Sequence, residues 1–163
     1  MTIANIHASC ILLNRAGDAF GAPRDAGILL LGKSGAGKSD LALRMIEGGA
    51  RLVADDRVEL SVREGLLIAR APPRLTGLIE VRGAGILALP YAAEARVALA
   101  VLLETRNPGR MPDSEFYVPP LADAPRKIPL LRLSAFEASS PAKIAAASAA
   151  FARGLFREQA HPD

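Results

Sequence analysis

The sequence feature that most constrains this chain is a glycine-rich loop over residues 32–39, which fits the pattern G-x-x-x-x-G-K-[ST]. In order, its residues are Gly32, Lys33, Ser34, Gly35, Ala36, Gly37, Lys38 and Ser39. A short apolar run enters this loop and an amphipathic segment leaves it, which is the strand–loop–helix context that the pattern requires. Glycines let the backbone turn several N–H groups inward onto phosphate oxygens, and the following helix adds the positive end of its dipole. The loop therefore predicts binding of a nucleoside triphosphate, with Lys38 on the β- and γ-phosphates and the Ser39 hydroxyl on Mg²⁺.

Two consecutive aspartates, Asp55 and Asp56, follow the short apolar run 52–54. If the runs 27–31 and 52–54 are parallel strands joined by the helix after the loop, they end at the same edge of one sheet. That edge brings both carboxylates beside Lys38 and Ser39. Next to a metal–triphosphate, one carboxylate can hold the metal ion or its waters while the other receives the proton of an attacking hydroxyl. The alternative is an ordinary aspartate turn after a strand.

The length of 163 residues predicts a single domain over residues 1–163, and the hydrophobic pattern predicts an α/β fold. Half of the residues are hydrophobic, few are aromatic and none is Trp, which suits short strands covered on both faces. Strands are predicted over residues 6–13, 27–31, 52–54, 58–62, 66–71 and 96–104. Helices are predicted over residues 40–47 and about 141–156, the second with Ser140 as its N-cap. Residues 14–26 are predicted to form an exposed hairpin or loop, and the proline-rich residues 107–125 a loop that could act as a lid or subunit contact.

The composition narrows the setting of the chain. The formal charge of +3 is small, and the arginines are scattered without interleaved aromatic residues, so we do not expect binding to nucleic acid. No apolar run approaches the roughly 20 residues of a membrane helix, and the first residues do not resemble a signal peptide. The single cysteine, Cys10, is expected to be a small buried hydrophobic residue. We therefore predict a cytoplasmic protein without membrane contact.

Three blocks of sequence, taken in order, resemble HPr kinase/phosphorylase. They are the loop over 32–39, the block RLVADDRV over 51–58 and the block IEVRGAGI over 79–86, which looks like the family signature. The resemblance covers about residues 5–110. It implies a P-loop-containing mixed β-sheet with flanking helices, akin to phosphoenolpyruvate carboxykinase. It also implies a homo-oligomer, typically a hexamer, that phosphorylates a serine of HPr or of a related phosphocarrier protein with ATP and Mg²⁺.

The same resemblance implies catalytic roles for individual residues. Asp56 looks like the base that accepts the serine proton, Lys38 like the phosphate-contacting lysine, and His7 like the active-site histidine upstream of the loop. Arg110 resembles an arginine that the family uses later in the chain. A structural, hydrogen-bonded histidine and a solvated arginine are the alternatives for His7 and Arg110.

A metal site is implied in the same way. Ser39 and Glu80 resemble the metal-associated residues of the family, and we assign Asp55 to the metal with them. The alternative for Glu80 is a surface ion pair with Arg82 on a strand, which would contribute little to stability.

The direction of the reaction and the type of acceptor have alternatives at the level of sequence. Members that reverse the reaction carry the segment Pro-Val-Arg-Pro-Gly-Arg, whereas residues 128–134 here read IPLLRLS. We therefore expect kinase activity and leave phosphorolytic reversal open. A small-molecule kinase would use the same loop with residues 107–125 as its lid. A non-catalytic ATP-binding sensor would need the loop but no catalytic base.

Overall fold

The computed structural model describes residues 1–104, 109–125 and 127–154. In these ranges the strands are β1 Ala4–His7, β2 Ser9–Leu12, β3 Ala26–Leu31, β4 Arg51–Ala54, β5 Arg57–Arg63, β6 Leu66–Arg70, β7 Leu78–Val81, β8 Gly85–Ala88, β9 Ala95–Leu103, β10 Glu115–Tyr117 and β11 Ile128–Leu133. The α-helices are α1 Lys38–Glu47 and α2 Ser140–Ala152, and short 3₁₀ helices cover Asn14–Phe20 and Pro73–Leu75. Across the described ranges, no helix has the length and apolar character needed to traverse a bilayer.

Nine of these strands form one mixed sheet. Seven follow the order β1-β5-β6-β9-β3-β2-β4, and β11 lies beside β9 with β10 at its outer edge. One edge of β9 pairs with β3 in parallel, while the other edge pairs with β6 near its start and with β11 near its end. Parallel and antiparallel pairs therefore coexist, as predicted. Strands β7 and β8 form a separate two-stranded hairpin.

Strand β3 is buried on both faces, which explains its uninterrupted apolar sequence. Successive strand residues point to opposite faces, and Ile28 and Leu30 pack in one core cluster with Leu41 and Met45 of α1. Leu29 belongs to the second cluster, which is formed with residues of β4, β5 and β6 on the other side of the sheet. The apolar face of α1 is thereby fixed against the strand that leads into the glycine-rich loop.

The predicted single strand over residues 6–13 is wrong, because the chain bends at Ala8 and forms two strands. His7 of β1 pairs with Arg57 of β5, and Cys10 of β2 pairs with Ala54 of β4. β1 therefore pairs with the strand that follows residues 55 and 56, and β2 pairs with the strand that precedes them. Between these two pairings, the Ala8 N–H donates to the Asp56 carbonyl at 3.2 Å. The bend in one segment lies opposite the turn in the other.

The residues between β2 and β3 also differ from the prediction. Where a hairpin or loop was expected over 14–26, Asn14–Phe20 forms a 3₁₀ helix that ends at Gly21 in a left-handed conformation. Helix α1 begins at Lys38, two residues before its predicted start. The glycine-rich loop therefore runs directly into the helix, and Gly37 is its N-cap.

The C-terminal third contains more sheet than the sequence indicated. The predicted loop over 107–125 contains β10, although residues 107 and 108 lie outside the described ranges. Helix α2 has Ser139 as its N-cap, whereas Ser140, the predicted cap, begins the helix and donates its hydroxyl to the Ser134 carbonyl. The helix ends at Ala152, earlier than predicted, and position 156 itself lies outside the described residues.

Candidate active site

The sheet brings the glycine-rich loop and the aspartate pair to one edge. Strand β2 lies between β3 and β4 and is antiparallel to both, so β3 and β4 run parallel to each other. The loop begins where β3 ends and the aspartates follow the end of β4, as predicted, although the two strands are not direct neighbours. Ser9 at the start of β2 pairs with Leu30 near the end of β3, so His7 and Ser9 lie at this edge too. The 3₁₀ segment that follows β2 connects the strands at the opposite edge.

The glycine-rich loop has a backbone that only glycine adopts readily at Gly37. Its φ angle is +97°, in the left-handed region. A β-carbon at this position would lie 2.6 Å from Cβ of Ala135 and 2.8 Å from Cζ of Phe136. The first amides of α1 have no partner within the helix and mark the positive end of its dipole. This loop and helix start therefore provide a cradle for an anion such as a phosphate group.

Lys38 is held inside the loop. Its side chain is buried, and its Nζ donates to the carbonyl oxygens of Gly32 at 2.7 Å and Lys33 at 2.9 Å. Burial lowers the pKa of Lys38 below its ordinary value, and the carboxylates of Asp56 and Asp55 act in the opposite direction. These two hydrogen bonds use two of the three ammonium protons, so one remains for a phosphate oxygen.

Asp55 is buried and accepts three hydrogen bonds. Its Oδ1 accepts from the hydroxyl groups of Ser39 and Ser9, each at 2.7 Å. Its Oδ2 accepts from the backbone N–H of Glu80 at 3.1 Å. The carboxylate therefore links the end of the loop, strand β2 and strand β7. A buried carboxylate that is satisfied by donors in this way keeps a fixed orientation.

The Asp55–Ser39 pair fits a Mg²⁺ ion that is bound together with a nucleotide. Among the described residues, no group of three or more His, Cys, Asp or Glu side chains is arranged to hold a metal by itself. Magnesium in phosphoryl-transfer sites uses one or two carboxylates together with substrate phosphates and waters, so such a group is not required. Glu80 reaches this pair through its backbone amide, while its exposed side chain lines the adjacent cavity. Its role as a metal-associated residue stays a prediction.

Asp56 occupies the centre of a tight turn between β4 and β5. Its φ angle is +65°, and the N–H of Arg57 donates to the Asp55 carbonyl at 2.7 Å, which closes a three-residue γ-turn. The Asp56 side chain is 65% exposed and its Oδ1 lies 3.1 Å from Nε2 of His7. Uncommon backbone conformations of this kind cost free energy and cluster at functional sites. Here the turn directs one aspartate inward, to Ser39, and the next one toward solvent and His7.

One cavity of about 290 Å³ joins these elements. The predicted residues that line it include His7, Ser34, Gly35, Gly37, Lys38, Ser39, Asp56 and Glu80. Asp55 is not among the lining residues, but it accepts a hydrogen bond from Ser39, which is. Arg110 is exposed and does not line the cavity, so the structure does not bring it to the other predicted residues. Its predicted role remains untested.

Among the residues of this site that sequence reasoning missed, Ser9 and Phe136 contribute most to the arrangement described above. Ser9 lines the cavity and donates a hydrogen bond to Asp55. Its position two residues after His7 could have indicated a place in the site, because residues with this spacing share a face of a strand. Phe136 lines the cavity from the connection between β11 and α2. Nothing in the sequence near Phe136 indicates this position. The thiol of Cys10 takes no part, since it is fully buried and burial raises its pKa to about 12.

The sequence of this region matches a known family. Residues 23–98 match the family model described as HPr Serine kinase C-terminal domain. The chain is 41% identical over 91 residues to HPr kinase/phosphorylase of Clostridium acetobutylicum, a match that covers 52% of this chain and 30% of that protein. It is 52% identical over 64 residues to the protein of the same name from Clostridium tetani, covering 39% of this chain and 21% of that one. The chain therefore spans about a third or less of the length of these relatives.

A solved structure is similar over nearly the whole chain. The HPr(Ser) kinase/phosphatase from Coxiella burnetii superimposes with a TM-score of 0.66 at 22% sequence identity, covering 93% of this chain and 95% of the other. This likeness confirms the predicted fold class. The resemblance to HPr kinase/phosphorylase inferred from the three sequence blocks is likewise confirmed, and it is centred on the HPr serine kinase C-terminal domain matched by residues 23–98.

Proposed function

We propose that this domain transfers the γ-phosphoryl group of ATP to a serine hydroxyl of an HPr-type phosphocarrier protein. The observation that carries the proposal is that Asp56, 3.1 Å from His7, lines the same cavity as Lys38 and Ser39. A potential base and a phosphate-binding loop thus share one space of about 290 Å³. The name of the clostridial relatives, HPr kinase/phosphorylase, supports HPr as the acceptor, and the description of the matching family model, HPr Serine kinase C-terminal domain, supports serine as the residue that is modified.

Each residue has a defined part in the proposed transfer. The amides of the loop and the Lys38 ammonium bind the triphosphate, and Asp55 and Ser39 would hold Mg²⁺, which neutralises charge on the phosphates. The serine oxygen forms a bond to the γ-phosphorus while the bond from that phosphorus to the bridging oxygen of ADP breaks. Asp56 accepts the serine proton, and its exposure leaves it reachable by a side chain on another protein.

The proposal covers the kinase direction only. In the stretch that corresponds to the phosphorolysis segment of the family, Arg132 is the only arginine. Its guanidinium is held by the carboxylates of Glu104 and Glu115, which lie on either side of β11. An arginine neutralised by two carboxylates is a poor ligand for inorganic phosphate. A cytoplasmic location and a homo-hexamer are included in the proposal on the family resemblance alone.

Intact-mass spectrometry of the acceptor tests the proposal. The domain is incubated with Mg-ATP and a purified HPr-type carrier, and we expect a gain of about 80 Da on a serine of the carrier. A carrier with that serine replaced by alanine and a domain carrying Lys38→Ala are the controls, and neither combination should give the product. If ATP binds but no carrier gains mass, a small-molecule kinase or an ATP-binding sensor becomes the better description.

A further inference from the structure

A large aromatic side chain stands exposed at the edge of the candidate site. Phe136 is 65% exposed, and among the described residues that line the cavity it is the only Phe, Tyr or Trp. Its ring edge lies against Gly37, since a β-carbon added there would come within 2.8 Å of Cζ of Phe136. Leaving an aromatic ring in water forgoes the free energy that burial would give. The ring therefore offers an unused apolar surface beside the phosphate loop.

The backbone around Phe136 is fixed by helix α1. The guanidinium of Arg44 donates to the carbonyl oxygens of Ala135 and Glu137, and it also pairs with Asp40 at 3.0 Å. Glu137 in turn pairs with Lys143 of α2 at 2.7 Å. The turn that carries the ring is thus clamped to both helices. A surface that is held in place before a ligand arrives loses less conformational entropy on binding.

The Phe136 ring and the aspartate turn that carries Asp56, the proposed proton acceptor, lie at different sides of the first turn of α1. Ser39 faces Asp55 and the aspartate turn, whereas Asp40 faces Arg44 and the turn that carries Phe136. Adjacent residues of an α-helix point about 100° apart. A linear triphosphate that presents its γ-phosphorus toward Asp56 must therefore extend its nucleoside end away from Asp56. Phe136 lies against Gly37, at a side of this turn other than the one that faces Asp55, and can therefore meet the nucleoside end.

We propose that Phe136 is the stacking wall for the base of the bound nucleoside triphosphate. This inference rests on the proposed function for the orientation of the triphosphate, and it adds the subsite for its base. Phosphate groups then bind to the loop and Lys38, while the base covers the ring that is exposed in the free protein. Stacking on a single aromatic ring tolerates different bases.

Binding of ATP and of inorganic triphosphate to the same variants separates the two subsites. Isothermal titration calorimetry measures both ligands with Mg²⁺ on the wild type, Phe136→Ala, Phe136→Tyr and Phe116→Ala. Phe116 is a matched control because it is also exposed, at 52%, but lies on β10 and does not line the cavity. We expect Phe136→Ala to weaken ATP binding about tenfold and to leave triphosphate binding unchanged. Phe136→Tyr, which keeps the ring, and Phe116→Ala should bind both ligands like the wild type.

Each other result has a distinct meaning. Unchanged ATP affinity in Phe136→Ala overturns the stacking wall. An equal loss for ATP and triphosphate also overturns it, because the substitution then acts on the loop and not on the base. If Phe136→Ala does not fold, Phe136→Leu is measured in its place, because it keeps apolar bulk without a ring. The decisive quantity is again the loss of ATP affinity compared with the loss of triphosphate affinity, each relative to the wild type. Failure of the wild type to bind either ligand would instead contradict the proposed function.

Discussion

The substitution Ser9→Ala measures how far the site depends on the buried hydrogen bonds of Asp55. The Ser9 hydroxyl donates to Asp55 Oδ1 at 2.7 Å, and the two residues are 0% and 5% exposed. A hydrogen bond to a charged group contributes about 1.5–3 kcal/mol, and alanine leaves the carboxylate with two of its three donors. We therefore expect Ser9→Ala to lower the free energy of unfolding by about 2 kcal/mol and the Tm by about 4–8 °C.

A second serine provides the matched control with the opposite sign. Ser148 of α2 is also 5% exposed, but its Oγ has no hydrogen-bond partner among the described residues. A buried hydroxyl without a partner destabilises the folded state, and alanine is a better helix former than serine. We expect Ser148→Ala to raise the free energy of unfolding by about 1 kcal/mol.

Equilibrium unfolding in urea provides the assay. The chain has no Trp, so the transition is followed by far-UV circular dichroism, and equal m-values show that the same transition is compared. The reasoning is refuted if the two serine substitutions change stability by the same amount and sign. It is also refuted if Ser9→Ala costs less than about 0.5 kcal/mol, the range of an ordinary surface substitution.

Three further predictions concern the loop and the residues around it. Gly37→Ala should destabilise the domain by about 1–3 kcal/mol and abolish ATP binding, because the backbone has a positive φ at this position and a β-carbon would lie 2.6 Å from Cβ of Ala135. Urea denaturation and calorimetry measure the two effects, and a variant as stable as the wild type that still binds ATP would contradict the prediction. Because burial lowers the pKa of Lys38 below the ordinary lysine value, the ammonium loses its proton at a lower pH than an exposed lysine does, and ATP affinity should fall as the pH rises through this lowered pKa. Titrations between about pH 7 and 10 test this, and an affinity that does not change with pH opposes it. His7→Ala should slow phosphoryl transfer less than removal of the Asp56 carboxylate does, since His7 acts through its contact with Asp56. If His7→Ala lowers the transfer rate as much or more in the same assay, His7 takes part directly in the transfer.

The local part of the site could be predicted from sequence. The glycine-rich loop is a contiguous segment whose geometry follows from its own residues, and it forms where its pattern indicated. The aspartate pair was placed correctly because β3 and β4 are parallel, and this holds whether or not another strand lies between them. Asp55 and Ser39 therefore meet although they are 16 positions apart.

The long-range part could not be predicted, because it depends on pairing between distant segments. The bend at Ala8 follows from pairing with a chain about 50 residues later, and no local breaker marks it. Strand β11 was not predicted, and it contains Pro129, a residue type that argues against a strand; Pro129 lies opposite Phe116 of the edge strand β10. Phe136 lines the cavity from a turn whose carbonyl oxygens accept hydrogen bonds from Arg44, a residue 91 and 93 positions away in the sequence.

Single-turnover transfer by Asp56→Asn tests the central claim most directly. Asparagine tolerates the positive φ at this position, so the turn between β4 and β5 should persist while the proton acceptor is lost. With carrier and Mg-ATP in rapid-mixing experiments, the account predicts an ATP Kd within about twofold of wild type and a transfer rate about 10²–10⁴-fold lower. Transfer at a rate close to that of the wild type, with ATP bound normally, would contradict the assignment of Asp56 as the base.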